Sequence, residues 1–404
     1  MKRNLAVAGA AAAATVSAGY SVWLWVSNYA GDNFHNDFTF YYAASRLGLA
    51  HGWSHLYDLR LMQEQLDAIG SHITVAQLAR YVSPPPLAWL ITPLTLVPYQ
   101  VAYWMWSALL VAALVLAWHL AAPGSRRARV IFLVAAFGWL PIVYGLQLGQ
   151  PVLLVAAGVA ACYVLLKRGR DVEAGAMLGV LVFKPQLALL VPVVLLVTGR
   201  WRAFASSVIV LAAITAASLV ALGPTGVTDY VDRLNLASAV AENQAQTIAG
   251  WIHNLEAARV VQGLIAAWTV SVAYRLRRRG PAVVLAVALI GGLAASPYVH
   301  YDDLAMLGLA CLLFLRAARG RWVIAYAIGL FIAAEGFPVW QAGPVLAGEL
   351  IALLLLSIPA LEHHHGYAEK DEAEREHDPG LEGDRQHLAV DGQAQPVDGR
   401  AGEA

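Results

Sequence analysis

Three ionisable residues stand where a charge is costly, at the margins of long apolar runs: Asp37, Lys184 and His300, the last followed by Asp302 and Asp303. Such residues are functional candidates by default in a membrane protein. A carboxylate takes a proton from a hydroxyl as general base. A lysine neutralises a phosphate as a point charge, without the fork an arginine would offer. A histidine donates to a leaving phosphate or holds one of its oxygens. Gln150, at the end of YGLQLGQP, is a candidate polar ligand beside them, and Tyr41, Tyr42, Asp58 and Asp302 are accessory candidates.

Each candidate has a structural alternative. Asp37 precedes FTFYYAASRL and suits the N-cap of a helix there. Lys184 is long enough to snorkel to an interface. His300 reads equally as a satisfied loop histidine, Asp302 and Asp303 as caps of the next helix, and Gln150 before Pro151 as a helix-start residue. The residues alone leave these readings open.

The elements that must position them are membrane helices. The chain is 59% hydrophobic and 13% charged, with a mean hydropathy of +0.58, against about 25% charged in soluble domains. Apolar runs of roughly the 17–25 residues needed to cross a bilayer recur along it. Basic clusters punctuate the runs at 2–3, 126–129, 167–170, 200–202, 275–279 and 316–321. With these clusters on the cytoplasmic side, the intervals 130–166, 203–274, 281–315 and 322–361 each leave the cytoplasm and return. Their outer turns fall near Gly149-Gln150, 223–250, Ser296–Asp303 and Glu335–Gly343. Asp37, Gln147, Gln150, Lys184, Glu242, Asn243, His253 and His300 then share one face.

Two intervals are too short for full spans. Between the clusters at 167–170 and 200–202, Ala174–Thr198 holds about 25 residues around Lys184-Pro185, where two spans need about 40. A hairpin of two half-length helices turning inside the membrane fits, with Lys184 at depth and the freed backbone buried in protein or lining a wet cavity. Pro84 to Pro98 reads as a partial dip, followed by a span from about Val101 to Ala121. The expectation is therefore an all-α polytopic protein of about twelve membrane segments with both termini cytoplasmic. Residues 1–361 form the membrane domain, 27–83 an outer loop with amphipathic helices, and 362–404 a disordered tail. The first apolar run is longer than a signal-peptide core and reads as an uncleaved helix. His363–His365 reads as a tag remnant or as native sequence, with no metal assigned. Trp23, Trp25, Tyr103, Trp104 and Trp106 read as an interfacial aromatic belt, and Cys162 and Cys311 as buried hydrophobes.

Asp37 with Tyr41-Tyr42, His51-Gly52, Leu56-Tyr57-Asp58, Tyr81 and the following prolines resembles glycosyltransferase family 87. So do Gly149-Gln150, Ala174-Gly175 through Lys184-Pro185 to Arg200-Trp201-Arg202, and Ser296-Pro297 with His300. The series runs over roughly residues 20–320. The resemblance implies the GT-C architecture and an inverting transfer on the periplasmic face of a bacterial inner membrane. The donor would be a polyprenyl-phosphate sugar, with mannose the expected sugar, and the acceptor a lipid or glycan hydroxyl. It implies Asp37 as base and His300 as its partner near the donor phosphate; the tyrosine-rich turn YVHYDD leaves His300, Asp302 and Asp303 as alternatives for the latter role. Lys184 and Gln150 are expected at the donor phosphate. No cofactor is expected, and no metal, because a lipid monophosphate lacks the diphosphate that recruits a cation. Membrane lipids are the expected surroundings and no nucleic-acid partner is expected. A transporter or lipid flippase is the alternative class, disfavoured by the absence of a repeat and of paired broken helices.

Overall fold

The computed structural model describes residues 2–74, 81–240, 244–252, 254–317, 321–336 and 343–357. Among these the chain is helical, with no strand. Four helices are long and apolar enough to cross a membrane: Val7–Gly31, Tyr99–Ala121, Trp201–Ser238 and Leu255–Arg275. A fifth span arises if Arg126–Phe137 and Leu140–Leu148, bent by 60°, count as one. The remaining apolar helices are shorter, including Val152–Lys167, Pro281–Ala294 and Gly343–Ser357. The expected count of about twelve segments thus rests on short helices as well as full spans. Glu242, Asn243, His253 and the tail at 362–404 lie outside the described residues.

Pro281–Ala294 is the central helix. It is apolar on every side, and every residue from Ala282 to Ala294 is buried, the pattern of a helix with no solvent face. Leu255–Arg275, Ala305–Ala317, Leu190–Val197 and Gly343–Ser357 pack around it. Tyr99–Ala121 packs on Val152–Lys167 through Ala102, Trp106, Leu110, Ala113 and Ala117, small and large residues alternating as close helix contact requires. At one end of the bundle, Arg316 donates to the terminal carbonyls of Leu120 and Ala122 at 3.1 and 3.2 Å and lies over the Tyr163 ring. Basic residues near a helix C-terminus satisfy its unpaired carbonyls.

The short hairpin is broken as the sequence expects. Asp171–Met177 continues as a tight turn over Leu178–Val182. After Lys184 a second turn, Pro185–Leu187, leads to Leu190–Val197. Proline disfavours helical backbone in the residue before it, and Lys184 is accordingly extended, φ −149° and ψ 78°. The base of the hairpin is closed by Arg200 and Asp171 at 3.0 Å. The first arm approaches Trp201–Ala239 closely because Gly175 faces the Ala203 carbonyl, where a side chain has no room. The Trp201–Ala239 helix itself breaks at Gly223, φ 62°, before Pro224. Its second half reaches the first loop, where Tyr230 stacks on Tyr57 at 4.7 Å.

The belt reading fails for three of its aromatics. Trp25 is buried, and Tyr103 and Trp106 fully so. Tyr103 donates to the Gln147 carbonyl and Trp106 to the Gly149 carbonyl, at 2.9 and 2.8 Å, because a buried ring N–H or O–H must find an acceptor. Trp23 is 61% and Trp104 38% exposed. Gly149 is pinned from both sides: its φ is 73°, and an added Cβ would lie 2.8 Å from Phe38 Cβ. Gly149→Ala should therefore cost at least about 1–2 kcal/mol from backbone conformation alone. Thermal unfolding in lipid nanodiscs measures this, and an unchanged melting temperature would contradict it.

Candidate active site

Asp37 occupies the N-cap position of Phe38–His51, yet its side chain caps nothing. The capping is done one residue earlier, where Asn36 Oδ1 accepts from Thr39 N at 3.1 Å. The Asp37 amide donates to the Leu148 carbonyl at 2.9 Å, which ties the loop to the end of Leu140–Leu148. Its carboxylate is left to accept from the Gln150 side-chain amide. Gln150 reaches it because Gly149 turns the chain through the left-handed region. Gln150 is buried, and its own Oε1 has no partner.

Lys184 comes from the hairpin tip. Its ammonium donates to Asp302 at 2.7 Å and to Asp303 at 2.6 Å. Lys184 is 9% exposed and both aspartates are fully buried. The sequence reading offered Lys184 as a phosphate ligand; the structure gives it two carboxylates first, using two of its three N–H donors. Asp303 also accepts from the His300 amide at 2.9 Å through its other oxygen, so it caps the Tyr301–Leu304 turn. Asp302 does not cap in this way: its Oδ1 is buried without a hydrogen-bond partner among the described residues. Gly145, on Leu140–Leu148, lies against Asp302, where an added Cβ would come within 3.3 Å of Asp302 Cβ.

The two sub-clusters act on each other. Asp37, Asp302, Lys184 and His300 are near enough for each charge to shift the Asp37 carboxyl. Burial, then the Asp302 charge, raises Asp37 above the ordinary aspartate range, against the pull of Gln150 and Lys184. Burial holds the His300 imidazole below its ordinary value, so it is neutral at pH 7. Burial pushes Asp303 up to about 7, opposed by Lys184 and reinforced by Asp302. Against its own burial, Asp302 is held below its usual value by Lys184 and His300. The arrangement can therefore hold a basic carboxylate, a neutral imidazole and a paired Lys–Asp–Asp group together.

Other candidates have structural duties. Asp58 caps Leu59–Ala68, accepting from Leu61 N at 3.0 Å. Tyr42 donates to the Val97 carbonyl at 2.8 Å. Tyr41 is buried within the electrostatic reach of Asp37 and Asp302, with Ser83 as its hydrogen-bond partner. Sequence reasoning passed over Tyr298, whose ring lies 4.6 Å from that of His300 and whose hydroxyl senses Lys184, Asp303, Asp302 and Asp37. It also passed over Gln262, buried on Leu255–Arg275, which donates to the Ser296 carbonyl at 3.0 Å and holds the turn. The polar residue inside an apolar run was the available signal for Gln262.

Removing one member of a buried ion pair typically costs about 3–5 kcal/mol, because the partner charge is stranded. Lys184→Met should lose about that much stability, and adding Asp302→Asn with Asp303→Asn should recover most of it. Unfolding of the two variants in nanodiscs decides this; a single Lys184→Met variant as stable as wild type contradicts it.

The model of glycosyltransferase family 87 matches residues 81–297, just over half of the chain. The matched stretch contains Gln150, Lys184 and Tyr298's neighbour Pro297, while Asp37, His300 and the aspartate pair lie outside it. No curated protein matches the chain, and no solved structure matches it. The helical architecture, the apolar spans and this match agree: the chain belongs to glycosyltransferase family 87 and is a membrane-embedded member of it.

Proposed function

We propose that the protein transfers a sugar, mannose by family resemblance, from a polyprenyl-phosphate donor to an acceptor hydroxyl, with inversion, at the periplasmic face of a bacterial inner membrane. The architecture in this proposal is GT-C, with about twelve membrane segments in residues 1–361, an outer loop at 27–83, and both termini and the 362–404 tail in the cytoplasm. The observation that supports the reading most is the hydrogen bond from Gln150 to Asp37, with Asp302, Lys184 and His300 within electrostatic reach of the Asp37 carboxyl.

Asp37 is the base. Asp37 is half-buried as a residue, and burial of its carboxyl raises its proton affinity, which suits a group that must take a proton near neutral pH. Asp37 takes the acceptor proton as the acceptor oxygen bonds to the anomeric carbon. The bond from that carbon to the phosphate oxygen breaks on the opposite side, and polyprenyl phosphate leaves with the electron pair. Gln150 orients the carboxylate. The remaining N–H of Lys184 and the neutral His300 face the donor phosphate in this account; Asp302 and Asp303 keep the lysine buried and in place.

The test is transfer of radiolabelled sugar from a polyprenyl-phosphate donor in membranes holding equal amounts of wild type or Asp37→Asn. Loss of a positioned base removes about 10²–10⁴-fold in rate, so the variant should fall by that factor. Transfer at the wild-type rate would remove Asp37 from the chemistry.

A further inference from the structure

A cavity of about 400 Å³ lies beside the Asp37 loop, lined by the end of the first helix, the following turn and Gln147. Small-molecule sites commonly occupy about 300–1,000 Å³. Its position is set by the same two segments that place the proposed base. Asn36, in its wall, precedes Asp37; Gln147 precedes Leu148, whose carbonyl receives the Asp37 amide. The two sites therefore share a backbone frame.

The lining has a definite chemistry. Asn28, Asn36 and Gln147 supply amides, Asp32 a carboxylate, His35 an imidazole and Tyr29 a phenol. No lysine or arginine lines it, so nothing there balances a phosphate. Amides and a carboxylate offer the mixed donors and acceptors that vicinal hydroxyls need. Tyr29 is 9% exposed, and its ring, stacked on Tyr103 at 4.0 Å, makes a rigid wall beside these polar groups.

We propose that this cavity binds a neutral sugar unit of the acceptor, resting on the transfer reading above, and that Asn28 and Gln147 hold its hydroxyls. The donor phosphate belongs on the Lys184 side; the uncharged polyol belongs here.

The test is direct binding. Methyl glycosides of neutral hexoses and pentoses are titrated into the full chain in lipid nanodiscs, which exclude glycoside detergents. At least one glycoside should bind saturably, and Gln147→Leu and Asn28→Ala should each weaken it by up to about tenfold, the effect of one lost hydrogen bond. Asn28 is exposed, so its replacement keeps the test valid where Gln147→Leu unfolds. A dodecyl glycoside forms a second arm: tighter binding than its methyl counterpart marks a glycolipid acceptor, and equal binding a soluble glycan, with the same variant sensitivity required of both. Absence of glycoside binding, equal binding by both variants, or tighter variant-sensitive binding of inorganic phosphate would overturn the proposal. Transfer by Asp37→Asn is a separate readout. Wild-type transfer there sinks the base while the titration still judges the cavity.

Discussion

A lysine ammonium placed among apolar helices must be paired, and the pairing of Lys184 with Asp302 and Asp303 is the constraint on which the site depends. Desolvating an isolated charge is prohibitive, so the hairpin tip and the Ser296–Asp303 turn must meet. That meeting fixes Asp302 against Gly145. Gly145 belongs to Leu140–Leu148, whose last carbonyl holds the Asp37 amide. One turn further on, Gly149 delivers Gln150 to the Asp37 carboxylate. The buried ion cluster and the proposed base are thus the two ends of a short chain of contacts.

The arrangement separates three aspartates by environment, as enzymes do when like groups must take different roles. Asp303 is committed to Lys184 and to the His300 amide. Asp302 shares Lys184 and keeps one oxygen without a hydrogen-bond partner among the described residues. Asp37 meets only an uncharged amide and so remains able to bind a proton. The short helices around Pro281–Ala294 make this possible: helices that stop inside the bundle leave turns there, and turns carry the polar groups.

Much of the scaffold was legible. The spacing of basic clusters implied a hairpin too short for two spans, and Lys184-Pro185 marked its break; both are observed. The short proline-bounded segment and the long helix after it also appear, as Pro85–Leu96 and Tyr99–Ala121. What stayed hidden were pairings between distant residues. Lys184 and Asp302 are 118 positions apart, and no periodicity encodes their contact. Asp37 looked like a cap because its residue type and place suit one; Asn36 takes that duty, a competition local sequence does not decide. Tyr103 and Trp106 looked interfacial by type, whereas the loop carbonyls of Gln147 and Gly149 draw them inward.

In the proposed reaction Asp37 is a base whose proton affinity is set by its surroundings, with Gln150 lowering it through a hydrogen bond to the carboxylate. The pH dependence of transfer, measured as kcat/KM for wild type and for Gln150→Leu, tests this most directly, because its acid limb reports the free enzyme's essential base. Losing the Gln150 hydrogen bond should move that limb to higher pH. An acid limb at the same pH in both enzymes would contradict the account.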